Sequence, residues 1–168
     1  MNITTAKAQA MVDTCVQQLK SIGLKPGEIV KVSLNNRLIK VNGRCISKAN
    51  KYSIEIATKP SEIRKESEVM NTVMHEVLHT IDMSHGSNFQ RLANIVNVKF
   101  GYNVQTKSND CAETMEARKE MSRWILRCDH CGKDIAGYAR KPSKNFNHYN
   151  HIACGSVSMG KLKLIQNF

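Results

Sequence analysis

The sequence contains no apolar run that approaches the roughly 20 residues of a membrane-spanning helix. Its first residues, MNITTAKAQAMVDTC, are mixed and polar and lack the apolar segment of a secretion signal. Internal repeats and low-complexity segments are also absent. We therefore expect a cytoplasmic protein without a membrane partner, in a bacterium or, if a phage encodes it, in the infected host.

Acidic side chains are few, with 14 Asp and Glu against 25 Lys and Arg, and the formal net charge is +11. The excess lies at the two ends. Residues 1–60 carry ten basic and three acidic side chains, and residues 126–168 carry seven and two. Such ends favour a polyanionic partner, with nucleic acid foremost in the cytoplasm. Charge alone leaves open a basic protein that is merely soluble.

The length of 168 residues allows one domain with a small appendage. A composition that is 41% hydrophobic and 23% charged is typical of a globular protein. From Arg127 onward the predicted elements are short, and the chain contains Gly and is rich in Cys and His. We predict a main domain over residues 1–125, a second domain over residues 126–168, and a monomer.

The hydrophobic pattern predicts an α+β fold. A helix is expected over residues 5–22. Alternating strands with turns at Asn35–Asn36 and Asn42–Gly43 predict a small antiparallel sheet of three or four strands within residues 28–57. Further helices are predicted from Pro60 to about Ile81, from Ser87 or Asn88, and over residues 111–124, with a loop at 101–110.

The stretch H75-E-V-L-H79 lies within a predicted helix whose other face is apolar. His75 and His79 are four residues apart, so both imidazoles can reach one ion, and Glu76 projects beside it. The pattern predicts a catalytic Zn²⁺ with Glu76 as general base toward a water molecule. Surface histidines on an amphipathic helix are the alternative.

His85 is the candidate third ligand, because the chain can turn back after the helix and bring it to the metal. An incidental loop histidine is the alternative. Asp82 is a further candidate, either as a ligand or as an acceptor for an imidazole N–H. Three histidines with one open position describe a catalytic zinc and not a structural one.

The six cysteines divide into three scattered residues and a C-terminal cluster. In a reducing compartment such clustering favours metal over disulfides. C128-D-H-C131 and H151-I-A-C154 supply four ligands in two pairs, which predicts a zinc ribbon and a second, structural Zn²⁺. His130 and His148 lie nearby, but His151 has the spacing that mirrors the first pair.

Basic and aromatic residues alternate between the two ligand pairs of the predicted ribbon. Arg140, Lys141 and Lys144 interleave with Tyr138, Phe146 and Tyr149. Cations there can meet phosphates, and aromatic rings can stack on bases. A solvated loop with core aromatics explains the same pattern equally well.

Four motifs resemble those of the SprT-like metalloprotease family, whose eukaryotic relatives include Spartan. They are N42-G-R-C45, N71-T-V-M-H-E-V-L-H79, H85-G-S-N-F89, and the pair C128-D-H-C131-G with H151-I-A-C154-G followed by G160-K-L-K-L164. Their order and spacing cover roughly residues 28–165. The chain departs from the family pattern at His151, where a Cys is usual, and at Asn42, where an Ala is usual.

The resemblance implies a zincin-like α+β domain, zinc-dependent peptide hydrolysis, and action on proteins bound or crosslinked to DNA, with DNA as the activating partner. Single-stranded DNA is the form we expect. Two other functions stay open: a non-catalytic nucleic-acid-binding module with two structural zincs, and a hydrolase on a non-protein substrate. The histidine spacing also matches metzincins, but those carry Gly where this chain has Asp82.

Overall fold

The computed structural model describes residues 2–106, 112–154 and 160–168, which form two compact units, Met1–Asp110 and Cys111–Phe168. The division between these units lies before helix α5 (Ala112–Glu120), whereas the sequence predicted a domain boundary after residue 125. Helix α5 packs on strand β5 (Asp134–Tyr138), so it belongs to the second unit. The predictions for residues 107–111 and Gly155 lie outside the described residues.

The first unit confirms the α+β class. Its elements are α1 (Thr5–Ser21), β1 (Glu28–Asn35), β2 (Gly43–Lys48), β3 (Lys51–Ala57), α2 (Thr58–Ile63), α3 (Glu66–Leu78) and α4 (Ser87–Phe100). Helix α1 begins at a Thr4 side chain that accepts from the Lys7 N–H at 3.1 Å. The chain leaves the helix through Gly23, where φ is +79° and the N–H of Leu24 donates to the carbonyl of Leu19 at 3.0 Å.

The sheet is mixed, and the prediction of an antiparallel sheet is wrong for one strand pair. Its order is β1-β3-β2, with β1 parallel and β2 antiparallel to β3. Residues 37–41 form no strand, because the Asn35 side chain accepts from the Arg37 N–H at 2.9 Å and turns the chain out of the sheet. Residues 36–42 then carry the chain past β3 to begin β2.

The hairpin turn lies at Ala49–Asn50, not at the two predicted positions. Both residues have positive φ, 50° and 59°, as a two-residue turn between antiparallel strands requires. The Asn42 carbonyl instead accepts the N–H of Ala57 at 2.9 Å, and Gly43 is already paired with Ile56. Asn42–Gly43 is therefore the entry to β2.

The helix predicted from Pro60 to Ile81 is interrupted. Arg64 and Lys65 are extended, with ψ of 156° and 150°, and separate α2 from α3. Lys65 donates its N–H to the Glu68 carboxylate at 2.9 Å, which caps the start of α3. The Arg64 guanidinium donates to the Thr72 hydroxyl and the Glu68 carbonyl at 2.9 and 3.0 Å. The break thus anchors the helix that carries the H-E-x-x-H motif.

The core of the first unit lies between the sheet and three helices. Its fully buried members come from α1, β3, α3 and α4, and the largest are Phe89, Leu19, Ile54, Ile56, Met74, Leu78 and Leu92. Apolar residues of α3 recur on one face, as the periodicity predicted. This packing sets the orientation of the opposite face, which holds the site.

The second unit is a three-stranded antiparallel sheet with α5 beside it. Strand β4 (Trp124–Cys128) lies between β5 and β6 (Leu162–Gln166), and a short 3-10 helix covers Ile152–Cys154. Its small core holds Leu126, Cys128 and Leu162, with Tyr138 and Phe146 packed against them. The helices in the described part of the chain all lack the length or the apolar character of a bilayer crossing.

Candidate metal centres

The structure brings His75, His79 and His85 together at one point, here called the histidine cluster. Their Nε2 atoms lie 3.0, 3.1 and 3.0 Å from one another. His75 projects from the last turn of α3, and His79 caps that helix. His85 reaches the cluster from the loop that follows.

The loop between His79 and His85 is held by Asp82. Its carboxylate accepts from the Ser84 N–H at 2.9 Å, from the Ser84 hydroxyl at 2.7 Å and from the Asn88 amide at 3.0 Å. Its backbone carbonyl accepts the Nδ1–H of His79 at 2.9 Å. Asp82 thus supports an imidazole through its backbone, while its carboxylate organises the loop rather than joining the cluster.

Hydrogen bonds at Nδ1 fix the tautomers of two histidines. The Gln105 carbonyl accepts from His75 and the Asp82 carbonyl accepts from His79, both at 2.9 Å. A carbonyl can only accept, so each Nδ1 carries a proton and, in the neutral ring, each Nε2 presents a lone pair. Burial is the main effect that lowers the pKa of His79 below its usual value and so favours the neutral ring. Burial, and then the neighbouring histidines, lower the pKa of His75 to about 4, so the ring is neutral at pH 7.

This arrangement fits a cation. Two lone pairs facing each other at 3.0 Å repel, and neither can serve the other as a donor. Tetrahedral zinc with Zn–N bonds of about 2.0–2.1 Å sets its nitrogens roughly 3.3 Å apart, close to the spacing here. Among the described residues, the metal-type donors grouped at this point are the three histidines. Such a set leaves a coordination position open.

Phe89 forms the apolar floor of the histidine cluster. Its ring centroid lies 4.9, 4.7 and 5.0 Å from those of His75, His79 and His85, and its side chain is fully buried. The ring limits the orientations open to all three imidazoles. Phe89, on α4, therefore connects the three imidazoles to the core of the first unit.

The Glu76 carboxyl lies against β2. Its side chain is only 6% exposed and accepts the backbone N–H of Cys45. Burial raises the pKa of Glu76 to about 7, and the bond from Cys45 acts in the opposite direction. Burial and the Glu76 charge also raise the pKa of the Cys45 thiol to about 11, which keeps that thiol protonated.

Gly43 is required by this contact. A Cβ at residue 43 would lie 2.8 Å from Cγ and 2.9 Å from Oε1 of Glu76, and 3.0 Å from Cγ2 of Thr72. Sequence reasoning assigned Gly43 to a turn and gave Cys45 no role at the site. It also missed Gln105, because no local pattern indicates that a loop carbonyl 30 residues away meets His75.

A cleft of about 680 Å³ opens over the histidine cluster and Glu76. Residues 40–45, residues 103–106 and side chains of α3 line the cleft. Two exposed apolar side chains, Val41 and Met83, also line the cleft. The histidine cluster and Glu76 therefore lie at the base of a cleft that opens to solvent.

The second candidate centre is the cysteine cluster, Cys128, Cys131, His151 and Cys154, whose donor atoms all lie within 4.8 Å of one another. His151 Nδ1 lies 3.3 Å from Cys131 Sγ and 3.2 Å from Cys154 Sγ. Of the three histidines considered from the sequence, His151 is the one in the cluster. The other two, His130 and His148, lie outside it.

The chemistry of these four donors fits a thiophilic cation. Although burial acts to raise it, backbone N–H groups of Cys131 and His130 help to lower the pKa of Cys128 to about 6. Burial and the other two thiols raise the pKa of Cys154 to about 12. The cluster thus favours one thiolate, at Cys128, and opposes a second one at Cys154. A bound cation would remove this opposition. Gly160 gives the cluster room, because a Cβ there would lie 2.9 Å from Cys154 Cβ.

The predicted nucleic-acid residues are distributed over the ribbon surface. Lys141 Nζ lies 5.2 Å from the Trp124 ring centroid, and Lys144 Nζ lies 4.3 Å from that of Tyr149. Arg140 is exposed. Tyr138 and Phe146 are partly buried and pack against the small core, which supports the interpretation as core aromatics for these two. Tyr149 is 44% exposed and keeps a surface open to a base.

The family model that matches this chain is that of the SprT-like family, over residues 8–108, which is more than half of the chain. The match includes the histidine cluster, Glu76 and Gly43, and it ends before the ribbon. A comparison with curated proteins finds no match.

Proposed function

Because the chain belongs to the SprT-like family, we propose that it is a zinc-dependent metallopeptidase that acts on DNA-associated proteins. The observation that carries this proposal is the meeting of three imidazole Nε2 atoms within 3.1 Å beside a buried carboxyl, on the floor of an open cleft. A structural site has no need of Glu76 or of the cleft.

His75, His79 and His85 would hold a catalytic Zn²⁺, and the cysteine cluster a structural one. The contrast in donor number supports this division, since three donors leave a position for water or substrate and four do not. When bound, catalytic zinc supplies Lewis acidity toward a carbonyl oxygen and lowers the pKa of water. Neutral His75 and His79 present their lone pairs without first losing a proton.

Glu76 is the general base in this proposal. Its carboxylate takes a proton from the water that attacks the peptide carbonyl carbon and later delivers that proton to the leaving amide nitrogen. A nearby positive charge would lower the Glu76 pKa of about 7 and favour the ionised base. The Cys45 N–H and the close approach of Gly43 hold the carboxylate in place.

The cleft suits an extended polypeptide. In the described part of the sheet, β2 pairs only with β3, and its first residues line the cleft. An edge strand can add a substrate strand through main-chain hydrogen bonds, which do not depend on the substrate's sequence. Such binding is appropriate for an enzyme that meets many different DNA-associated proteins.

DNA is the proposed partner, with single-stranded DNA as the expected form. Support comes from the basic ends of the chain and from Arg140, Lys141 and Lys144 on the ribbon. Exposed Tyr149 beside Lys144 offers a ring and a cation to one nucleotide. The ribbon would thus recruit the peptidase unit to protein on DNA.

The test is proteolysis of a DNA-binding protein, and of the chain itself, with zinc and with or without single-stranded DNA. We expect cleavage that requires DNA and falls by at least about 10²-fold in Glu76→Gln, which keeps the shape of the side chain but removes the base. Zinc content and folding of the variant are the controls. If protein that holds two zincs and binds DNA cleaves no substrate, the result would favour the non-catalytic binding module.

A further inference from the structure

Residues 103–106 line part of the cleft, and the Gln105 carbonyl within them orients His75. The segment of residues 101–106, here called the return segment, follows α4 and contains no helix or strand. Gly101 has φ +73° and reverses the chain after α4. The segment then passes α3, where the Gln105 carbonyl accepts the Nδ1–H of His75 at 2.9 Å.

Two asparagines from different helices hold the return segment. The Asn97 amide of α4 donates to the Val104 carbonyl at 3.0 Å and accepts the Val104 N–H at 2.8 Å. The Asn71 side chain of α3 accepts the N–H of Asn103 at 2.9 Å. The Asn97 side chain therefore binds both the N–H and the carbonyl of Val104, as the backbone of a neighbouring strand would.

We propose that Asn97 and Asn71 are positioning residues for the metal centre, acting on His75 through the return segment. Val104 is buried, so water cannot replace the hydrogen-bond partners of its N–H and carbonyl, and leaving either group unpaired would be costly. Asn97 satisfies both groups, and Asn103 and Gln105, one residue either side of Val104, are set by the same peptide geometry. The Gln105 carbonyl then keeps the His75 proton on Nδ1 and the lone pair on Nε2.

Asn71 provides a second, independent connection. It lies one helical turn before His75 on α3, so the residue that holds Asn103 and the residue that Gln105 orients share one helix face. The return segment is thereby fixed to the same helix that carries the donor. A group that bonds a metal-ligating histidine directly, as the Gln105 carbonyl bonds His75, typically contributes about 10–100-fold to metal affinity, and Asn71 and Asn97 act through that group.

The inference rests on the proposed zinc site but not on peptidase activity. The measurement is zinc affinity of the full chain by competition with a chelating indicator, with the cysteine cluster as an internal reference. We expect Asn97→Ala to weaken the histidine-cluster zinc by about 10-fold or more and Asn71→Ala to weaken it less, with the second zinc unchanged. Asn94→Ala removes an exposed amide from the same helix and is expected to change neither affinity.

A second readout separates orientation from general loosening. In the zinc-free protein, the ¹⁵N chemical shifts of the His75 ring report its tautomer. We expect the Nδ1–H form to dominate in the native chain and in Asn94→Ala, and a mixture in Asn97→Ala. Asn97→Asp retains the acceptor for the Val104 N–H and should give an intermediate affinity.

Unchanged histidine-site affinity and an unchanged tautomer in folded Asn97→Ala would overturn the proposal. An equal loss in Asn94→Ala would also overturn it, because it would reflect a general effect on α4. Native protein that binds zinc at the histidines with the expected dependence on Asn97, yet cleaves nothing, would refute the proposed peptidase while leaving this inference intact.

Discussion

Gly43→Ala is expected to impair catalysis far more than folding. The new Cβ would lie 2.8 and 2.9 Å from Cγ and Oε1 of Glu76, where ordinary contacts begin at 3.4 Å. The φ of Gly43 is outside the left-handed region, so alanine is compatible with the backbone there. The whole effect is then steric, and the flexible end of Glu76 is the group that must move.

The overlap indicates a displacement of the carboxylate by about 0.5–1 Å, and misplacement by 1 Å can cost about 10²-fold in rate. We expect kcat/KM to fall about 10–100-fold, which corresponds to roughly 1.4–2.8 kcal/mol of lost transition-state stabilisation. The free energy of unfolding should fall less, by about 1 kcal/mol, the lower end of the cost of overpacking.

The assay is cleavage of a DNA-bound protein substrate in the presence of single-stranded DNA, alongside urea denaturation and zinc content. Glu76→Gln sets the baseline for a chain without its base. Thr72→Ser in the Gly43→Ala background removes one of the three close contacts but not those with Glu76, so it should not restore activity. Full activity of Gly43→Ala with two zincs bound would refute the role assigned to this contact.

Three further changes test other parts of the structure. Ala49→Gly should raise the free energy of unfolding by about 0.5–1 kcal/mol in urea denaturation, because Ala49 has φ 50° in an exposed hairpin turn; a loss of stability would contradict this. Phe89→Ala should lower it by about 3–5 kcal/mol and weaken the histidine site, measured by denaturation and zinc competition. Lys141→Ala with Lys144→Ala should reduce the dependence of log K for single-stranded DNA on log[salt] by about 1.4, and an unchanged slope would remove the ribbon from the DNA interface.

Local patterns predicted the elements that are determined by one stretch of chain. Apolar residues of α3 and α4 recur with the helical period, so both helices and their buried faces were predictable. The spacing of His75 and His79 places both imidazoles on one face whatever the rest of the chain does. The Cys-x2-Cys pair is similar, since a tight turn alone brings its two thiols together.

Strand direction was not predictable in this way. Residues of β1 alternate equally well in a parallel and in an antiparallel pair, so the pattern does not report the partner. The Asn35 side chain stabilises the observed arrangement, because it caps the Arg37 N–H and also donates to Glu55 of β3 at 2.8 Å. That contact joins residues 20 positions apart, and a turn signal such as Asn-Asn does not distinguish it from a hairpin.

The sequence alone thus specified the metal-type donors, the candidate base and the fold class, because residue type and short spacing suffice for these. Their surroundings depend on contacts between distant segments. The Gln105 carbonyl meets His75 across 30 residues, and Gly43 and Cys45 reach Glu76 from another element. Long-range packing of β2, α3, α4 and the return segment brings these groups within hydrogen-bond distance, and neither periodicity nor motif spacing contains that information.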